Sequence, residues 1–298
     1  MPRTLITGVA GFTGRYISTL LADRGHEVHG IVHIADEPIP DACQTYEADL
    51  ADLPRIRQLV ELVCPDHVVH LAGIAFVGHA DVEQIYRSNV IGTRQLLEAL
   101  SVLPRQPCSI LLASSANVYG NICEGVVDET VPFAPANDYG VSKVAMEYVV
   151  SLYRKRLPLI VARPFNYTGR GQSSKFLIPK IVAHARERLP VIDLGNLDVA
   201  RDFSDVRTVV QIYARLLDQP EAIGETFNVC SGRAVALREV IEMVTRLSGH
   251  PFDVRINPAF VRENEVRSLH GSNEKLEKLL GPTSSIPIEE TLRWMLDD

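Results

Sequence analysis

The stretch Leu5-Ile6-Thr7-Gly8-Val9-Ala10-Gly11-Phe12-Thr13-Gly14 decides the reading of this chain. A short apolar run ends in glycines at positions 8, 11 and 14, and the helical periodicity of Tyr16 to Ala22 follows, stopping at Gly25. Glycine there permits a tight turn and lets backbone N–H groups approach a pyrophosphate, while the helix N-terminus adds partial positive charge. The spacing is G-x-x-G-x-x-G rather than G-x-G-x-x-G. Its weight comes from its place, after a strand and before an amphipathic helix.

The alternation continues outward from this turn. Val28 to Val32 reads as a strand, Ile56 to Val63 as a helix and His67 to Leu71 as a strand. Ile85 to Leu100 reads as one long helix, and Ser109 to Ala113 as the next strand. Strands alternating with helices imply an α/β fold: a Rossmann-type doubly wound parallel sheet, covered on both faces and joined by right-handed crossovers. After about Arg163 the rhythm changes. Residues 166–174 are rich in glycine and polar side chains and read as a loop. Helical stretches follow at Ile178–Arg188, Val206–Leu217, Leu237–Ser248 and Ile288–Leu296, with a strand at Thr226–Val229 and an irregular region over Pro251–Glu265. We therefore expect a dinucleotide-binding domain over 1–165 and a smaller, mostly helical C-terminal substrate-binding part over 166–298. Within the latter, about 203–230 is expected to return to the first sheet.

The composition suits a soluble globular protein: 298 residues, 46% hydrophobic and 22% charged. The net charge of −7 disfavours nucleic acid as a general partner. Any nucleotide must be held by local cations and backbone N–H groups. Cysteines 43, 64, 108, 123 and 230 are dispersed and form no C-x-x-C pair, so we expect reduced thiols and no metal site. The absence of an apolar run near 20 residues and of a signal-like N-terminus leads to the expectation of a cytoplasmic protein with no membrane partner.

Tyr139-Gly-Val-Ser-Lys143 places a phenol and an ammonium four residues apart, on one face of a helix. An ammonium close to a phenol favours phenolate, which predicts a Tyr pKa below its usual 10 and a proton donor and acceptor for a C–OH/C=O couple. The strand ending at Ala113 delivers Ser114-Ser115-Ala116-Asn117-Val118-Tyr119-Gly120, at the strand end where an α/β sheet places its ligands. A serine there can hydrogen-bond the reacting oxygen. The adenosine end is less distinctive. The second strand closes on Val32-His33-Ile34, with no acid until Asp36 to bind a ribose 2′-hydroxyl. A neutral His33 imidazole could donate one hydrogen bond to a 2′-phosphate and its protonated form would add a charge. Arg15 could approach the same phosphate or simply lie in solvent, and Asp49-Leu50 could reach the adenine.

With these motifs in hand, the chain resembles the extended short-chain dehydrogenase/reductase family in its nucleotide-sugar branch, over essentially all its length. The resemblance rests on the glycine turn, His70-Leu71-Ala72-Gly73, Asn89-x-x-Gly-Thr93, the 114–120 stretch, Tyr139-x-x-x-Lys143 and Arg163-Pro164-Phe165-Asn166. It implies Ser115, Tyr139 and Lys143 as the catalytic group. It implies a dinucleotide held by Gly8, Gly11, Phe12, Thr13, Gly14, His33, Asp49, Leu50, Leu71, Ala72, Gly73, Asn89, Tyr139, Lys143, Pro164 and Phe165. A homodimer, with helices at about Asp81–Leu100 and at Tyr139–Lys143 forming a bundle with their symmetry mates, is also implied.

The resemblance bears on the reaction too. The family's 4,6-dehydratases carry an acidic pair, or at least a Glu, immediately after the catalytic Ser/Thr. Here Ala116 and Asn117 stand there, which excludes dehydration. Gly195-Asn196-Leu197-Asp198-Val-Ala-Arg201-Asp202-Phe203 and Arg163-Pro-Phe-Asn166-Tyr-Thr-Gly look like the GDP-sugar branch, the latter closest to its 4-keto reductases. By this resemblance Phe76, Asn117, Asn166, Arg201, Arg262 and Glu265 bind substrate, with Arg201 on the diphosphate. The implied function is 4-keto reduction of a GDP-linked 4-keto-6-deoxy hexose to GDP-rhamnose or GDP-6-deoxy-talose. NADP(H) or NAD(H) would serve, with a weak preference for NADPH. The alternatives are a UDP- or dTDP-hexose 4-epimerase with bound NAD and a dinucleotide-binding sensor without turnover.

Overall fold

The computed structural model describes residues 1–33, 39, 43–75, 81–121, 125–261 and 266–297. Its main sheet, among these residues, holds seven parallel strands: β1 (Arg3–Thr7), β2 (Glu27–Val32), β3 (Cys43–Glu47), β4 (His67–His70), β5 (Ser109–Ala113), β7 (Leu159–Pro164) and β11 (Thr226–Val229). They lie in the order β11-β7-β5-β4-β1-β2-β3. The order reverses direction between β1 and β4, and the crevice beyond the carboxyl ends of such neighbours is where open α/β sheets bind ligands. Gly8 leaves β1 and Leu71-Ala72-Gly73 leaves β4 at that crevice.

Successive side chains on these strands point to opposite faces, and both faces are buried. Ile6, Val69, Leu111 and Ile160 pack on one side with α1 (Phe12–Asp23) and α7 (Val206–Leu217). Leu5, Val68, Ile110 and Leu159 pack on the other with α2 (Leu53–Val63), α4 (Thr93–Ser101) and α5 (Asp138–Ser151). Each fully buried aliphatic side chain is worth about 1.5–3 kcal/mol of transfer free energy, which is why continuous apolar runs suit a doubly covered sheet. β11 pairs in parallel with β7, so the chain returns to this sheet after residue 203.

The remaining strands form a second layer. β10 (Ala200–Asp205) pairs with β12 (Ala234–Ala236), β14 (Ser268–Gly271) and β8 (Asn166–Thr168), and β14 pairs with β6 (Gly125–Val127). β9 (Val191–Leu194) and β13 (Asp253–Ile256) make a parallel pair. A separate core joins α6 (Leu177–Arg186), α8 (Leu237–Ser248) and α10 (Ile288–Leu296), while α9 (Glu274–Leu280) packs on β11.

Three expectations need correction. The helix expected over 85–100 is α3 (Val82–Tyr86), a π-helical turn over Arg87–Gly92, and then α4. The 166–174 loop begins with β8, and the 251–265 region contains β13. Both strands are too short to show a period of their own and exist because a neighbouring strand pairs with them.

Candidate active site

The crevice opens into a cavity of about 590 Å³. The glycine turn forms one wall, and its geometry requires the missing side chains. A Cβ on Gly14 would stand 2.2 Å from the Gly8 carbonyl oxygen, and one on Gly8, whose φ is 71°, would stand 2.8 Å from the Ala72 nitrogen. α1 begins directly after this turn, with Gly11 as its N-cap and no side chain capping its first N–H groups. Those donors and the helix dipole suit a diphosphate. Gly8, Gly11, Phe12, Thr13, Gly14, Leu71, Gly73, Pro164 and Phe165 all line the cavity.

Ser115, Asn117, Tyr139 and Lys143 line its far end. Asn137 caps α5 by accepting the Gly140 N–H at 2.8 Å, which fixes Tyr139 and Lys143 in the first two turns. Ser115 Oγ accepts from the Asn117 backbone N–H and from Asn117 Nδ2, both at 3.1 Å. With both lone pairs taken, its own proton donates to the Tyr139 hydroxyl. Lys143 Nζ donates to the Ala113 carbonyl at 2.8 Å and stands 6.0 Å from the Tyr139 ring centroid. Burial holds the Lys143 ammonium down at about 8. The expected lowering of the Tyr139 pKa is not found: burial pushes it up to about 12, with the Ser115 hydrogen bond opposing. Tyr139 is therefore a phenol at neutral pH, because the ammonium is spent on a carbonyl and desolvation dominates.

Between the crevice strands, His70 is fully enclosed. Thr93 spends its proton on the Asn89 carbonyl at 2.7 Å, so His70 Nε2 donates to Thr93 and Nδ1 accepts from Thr7. Burial, with Lys143 adding to it, holds this imidazole neutral, its pKa down at about 3. Asn89 does not line the cavity. Its Oδ1 accepts the Ile74 N–H at 2.8 Å and its Nδ2 donates to Ser142, so it props the backbone behind Gly73. Ala72 likewise faces Gly8 rather than the cavity.

Where the sequence reading expects the adenosine end, His33 is exposed at the close of β2. Asp49 accepts the Ala51 N–H and an Arg87 Nη2 hydrogen bond at 2.8 Å, and the arginine holds its carboxyl below the usual range. The charge of His33 also reaches Asp49. Arg87, which the sequence reading passed over, thus joins His33, Asp49 and the half-buried Leu50. Arg15 does not join them: its Nη2 donates to the Gly171 carbonyl at 3.0 Å.

Of the expected substrate residues, Asn117 and Asn166 line the cavity, and Asn166 Nδ2 also donates to the Asp202 carbonyl at 3.1 Å. Arg201 lies on β10, outside the cavity lining, with Nη1 on the Ala200 carbonyl at 2.9 Å. Phe76, Arg262 and Glu265 lie outside the described residues. Tyr167 was missed. It hydrogen-bonds Thr13 Oγ at 2.8 Å and stacks on Phe12 with centroids 6.0 Å apart, facing the cavity from β8. Its signal is its place directly after the Arg-Pro-Phe-Asn motif, within a stretch that reads as loop.

A family model described as GDP-mannose 4,6 dehydratase matches residues 5–295. The chain belongs to this family. Within it, the chain is 34% identical over 310 residues to a GDP-6-deoxy-D-mannose reductase of Pseudomonas aeruginosa, covering 99% of this chain and 96% of that one. It is 32% identical over 280 residues to a GDP-6-deoxy-D-talose 4-dehydrogenase of Aggregatibacter actinomycetemcomitans, covering 94% and 91%. Among solved structures, that of RMD from Pseudomonas aeruginosa with NADPH superposes with a TM-score of 0.84 at 30% identity, covering 100% and 97%. A protein from Burkholderia cenocepacia J2315, provisionally called an epimerase, superposes with a TM-score of 0.93 at 51% identity, covering 99% and 97%.

The GDP-mannose dehydratase family thus includes relatives named as reductase and dehydrogenase as well as dehydratases. This member's cavity bears on the difference: among the described residues that line it, none is Asp or Glu, and Lys143 and Lys175 are its cations.

Proposed function

We propose that this protein reduces the 4-keto group of a GDP-linked 4-keto-6-deoxy hexose, giving GDP-rhamnose or GDP-6-deoxy-talose. The carrying observation is the pairing of a protonated Tyr139 phenol, hydrogen-bonded to Ser115, with a cavity lined by no described carboxylate. Dehydration of a hexose needs a base for the C5 proton and an acid for the C6 hydroxyl. Here Ala116 is buried and Asn117 is committed to Ser115. Proton donation to a developing alkoxide needs only the phenol.

The glycine turn and the uncapped start of α1 fit a nicotinamide dinucleotide, with Gly8, Gly11, Phe12, Thr13 and Gly14 at the diphosphate and Lys143 near the reacting end. When bound, that group supplies a hydride. Ser115 and Tyr139 then hold the carbonyl oxygen, and Tyr139 gives it the proton that completes the alcohol. Asn117 occupies both Ser115 lone pairs, so the serine has only its proton to offer, to the Tyr139 hydroxyl without substrate and to the carbonyl oxygen with it. The names of the two curated relatives support the GDP-sugar reading, and the 51% identity to a protein provisionally called an epimerase supports epimerisation as the second reading. We further read the protein as a cytoplasmic homodimer with a weak NADPH preference.

The test is a panel of nucleotide-linked 4-keto-6-deoxy sugars, with NADH and NADPH oxidation followed separately and the product sugar identified. Stoichiometric cofactor oxidation with the GDP-linked sugar is expected. Interconversion of UDP- or dTDP-hexoses without net oxidation would move the protein to the epimerases. Formation of a 4-keto-6-deoxy product from GDP-mannose would overturn the argument from the missing carboxylates.

A further inference from the structure

Glu147 lies one turn beyond Lys143, so Tyr139, Lys143 and Glu147 follow each other at four-residue steps along one stripe of α5. Its side chain is only 8% exposed. A carboxylate so buried persists only where its oxygens are well bonded. Oε1 accepts from Ser114 Oγ at 2.5 Å and from Arg163 Nε at 2.9 Å, and Oε2 accepts from Arg163 Nη2 at 2.7 Å. Arg163 Nη1 in turn donates to the Tyr119 hydroxyl at 2.8 Å, which donates to Asn228 Oδ1.

The positions of these partners give the carboxylate its consequence. Ser114 immediately precedes Ser115 at the end of β5. Arg163 immediately precedes Pro164 and Phe165, which line the cavity at the end of β7. One buried carboxylate thus fastens the helix of Tyr139 and Lys143 to the strand ends that carry Ser115 and the cavity wall. Resting on the assignment of Ser115, Tyr139 and Lys143 as the reacting group, we propose that Glu147 is a positioning residue, holding the Lys143 ammonium charged and the serine and tyrosine in register.

The groups around Lys143 leave this task to Glu147. From β4 comes His70, neutral between Thr7 and Thr93, and from β5 the Ala113 carbonyl. From β7 comes the Arg163 cation, whose bonds go to Glu147 and Tyr119, and from β8 comes Tyr167, buried beside Tyr139. Glu147 is the charge that opposes burial at the ammonium. A neutral side chain there leaves Lys143 to lose its proton at lower pH.

The test compares Glu147→Gln, Glu147→Asp and the double variant Glu147→Gln/Arg163→Gln, which leaves no lone buried charge should the single variant not fold. Lys143 is titrated directly by ¹³Cε NMR in cofactor-free protein, its signal assigned with Lys143→Met, and the alkaline limb of kcat/KM is measured alongside. Glu147→Gln should lower the Lys143 midpoint by about one pH unit or more, the alkaline limb following, the double variant should lower it by less because the Arg163 cation goes with the carboxylate, and Glu147→Asp keeps the midpoint. An unchanged midpoint in a folded Gln variant overturns the proposal. So does loss of fold in the double variant, which would make Glu147 a fold residue alone. If the catalytic assignment were at fault instead, Tyr139→Phe and Lys143→Met would keep their turnover while the midpoint in the Glu147 variants still shifted.

Discussion

The Lys143 ammonium donates to the Ala113 carbonyl oxygen at 2.8 Å, not to the phenol of Tyr139 four residues before it. The lysine is enclosed, and burial lowers its pKa to about 8. Between pH 8 and the unfolded value near 10.5 the unfolded chain holds a proton that the folded one has released, so stability rises with pH across that window. Below pH 8 the folded protein bears the whole cost of a buried charge. Lys143→Met should therefore raise the melting temperature at pH 7 while abolishing turnover, and its advantage should shrink as pH rises from 8 toward 10. Calorimetry of both proteins across that range checks this, and a variant less stable than wild type at pH 7 would reverse the sign assigned to the burial.

Tyr139→Phe keeps the ring and deletes the proton. It should lower kcat by about 10²-fold or more, the range of general acid catalysis, with cofactor affinity close to wild type. A phenol held up at about 12 remains an acid through neutral pH, so turnover in the reducing direction should show no tyrosine-dependent fall between pH 6 and 8. Steady-state kinetics over that range, with cofactor binding followed by fluorescence quenching, decide the matter.

Much of this was legible in the chain. The glycine turn, the Tyr139/Lys143 spacing and the strands up to Ala113 are local signals, each carried by neighbours in sequence or by a period. What the sequence hid depends on partners far apart. Glu147 carries no signal in the sequence, and Arg163 shows only as the start of the Arg-Pro-Phe-Asn motif, until α5 and β7 bring the two together in the core. Arg87 carries no local signal because its partner, Asp49, stands 38 residues away. For Arg15 the sequence leaves a phosphate and solvent both open, because nothing local reveals the Gly171 carbonyl that its Nη2 binds. The Tyr139 pKa was misjudged in direction because spacing reports the lysine but not the desolvation.

Cofactor choice should follow the cluster at the adenosine end. His33 is exposed beside an Asp49 already neutralised by Arg87, so neither a 2′-phosphate nor a free 2′-hydroxyl meets an unbalanced charge. NADPH and NADH should both serve, with an NADPH preference of tenfold or less, about 1.4 kcal/mol. His33→Asp should turn the preference toward NADH by repulsion. Arg87→Ala should do the same by unmasking Asp49. The ratio of kcat/KM for the two cofactors measures both, and strong NADH selectivity in the unmutated protein would contradict the assignment.

Val141 and Tyr148 lie on one stripe of α5, which Leu152 at its C-cap continues, and the three are 39%, 62% and 71% exposed. α5 packs beside α4, near whose ends Ile91 and Val102 are also exposed. A two-fold pairing of this face with a second copy would bury both sets, and such pairing is the commonest closed assembly. Light scattering at micromolar concentration should give twice the 33.0 kDa chain mass, and Leu152→Glu with Tyr148→Glu should return it to a monomer that keeps its fold. A monomeric wild type would remove this assembly.

The π-helical turn over Arg87–Gly92 carries one more residue per turn than the helices on either side of it. That extra residue offsets α3 from α4 in rotation by about 100°. Below the turn, Leu96, Leu97 and Leu100 face the sheet. Before it, the Tyr86 hydroxyl reaches Asp138 at 3.0 Å, and at its first residue Arg87 reaches Asp49. A regular helix would satisfy one set of contacts or the other. The turn works as a phase shifter: deleting a single residue from it would leave the hydrophobic seam of α4 seated while swinging the Tyr86–Asp138 and Arg87–Asp49 contacts out of alignment.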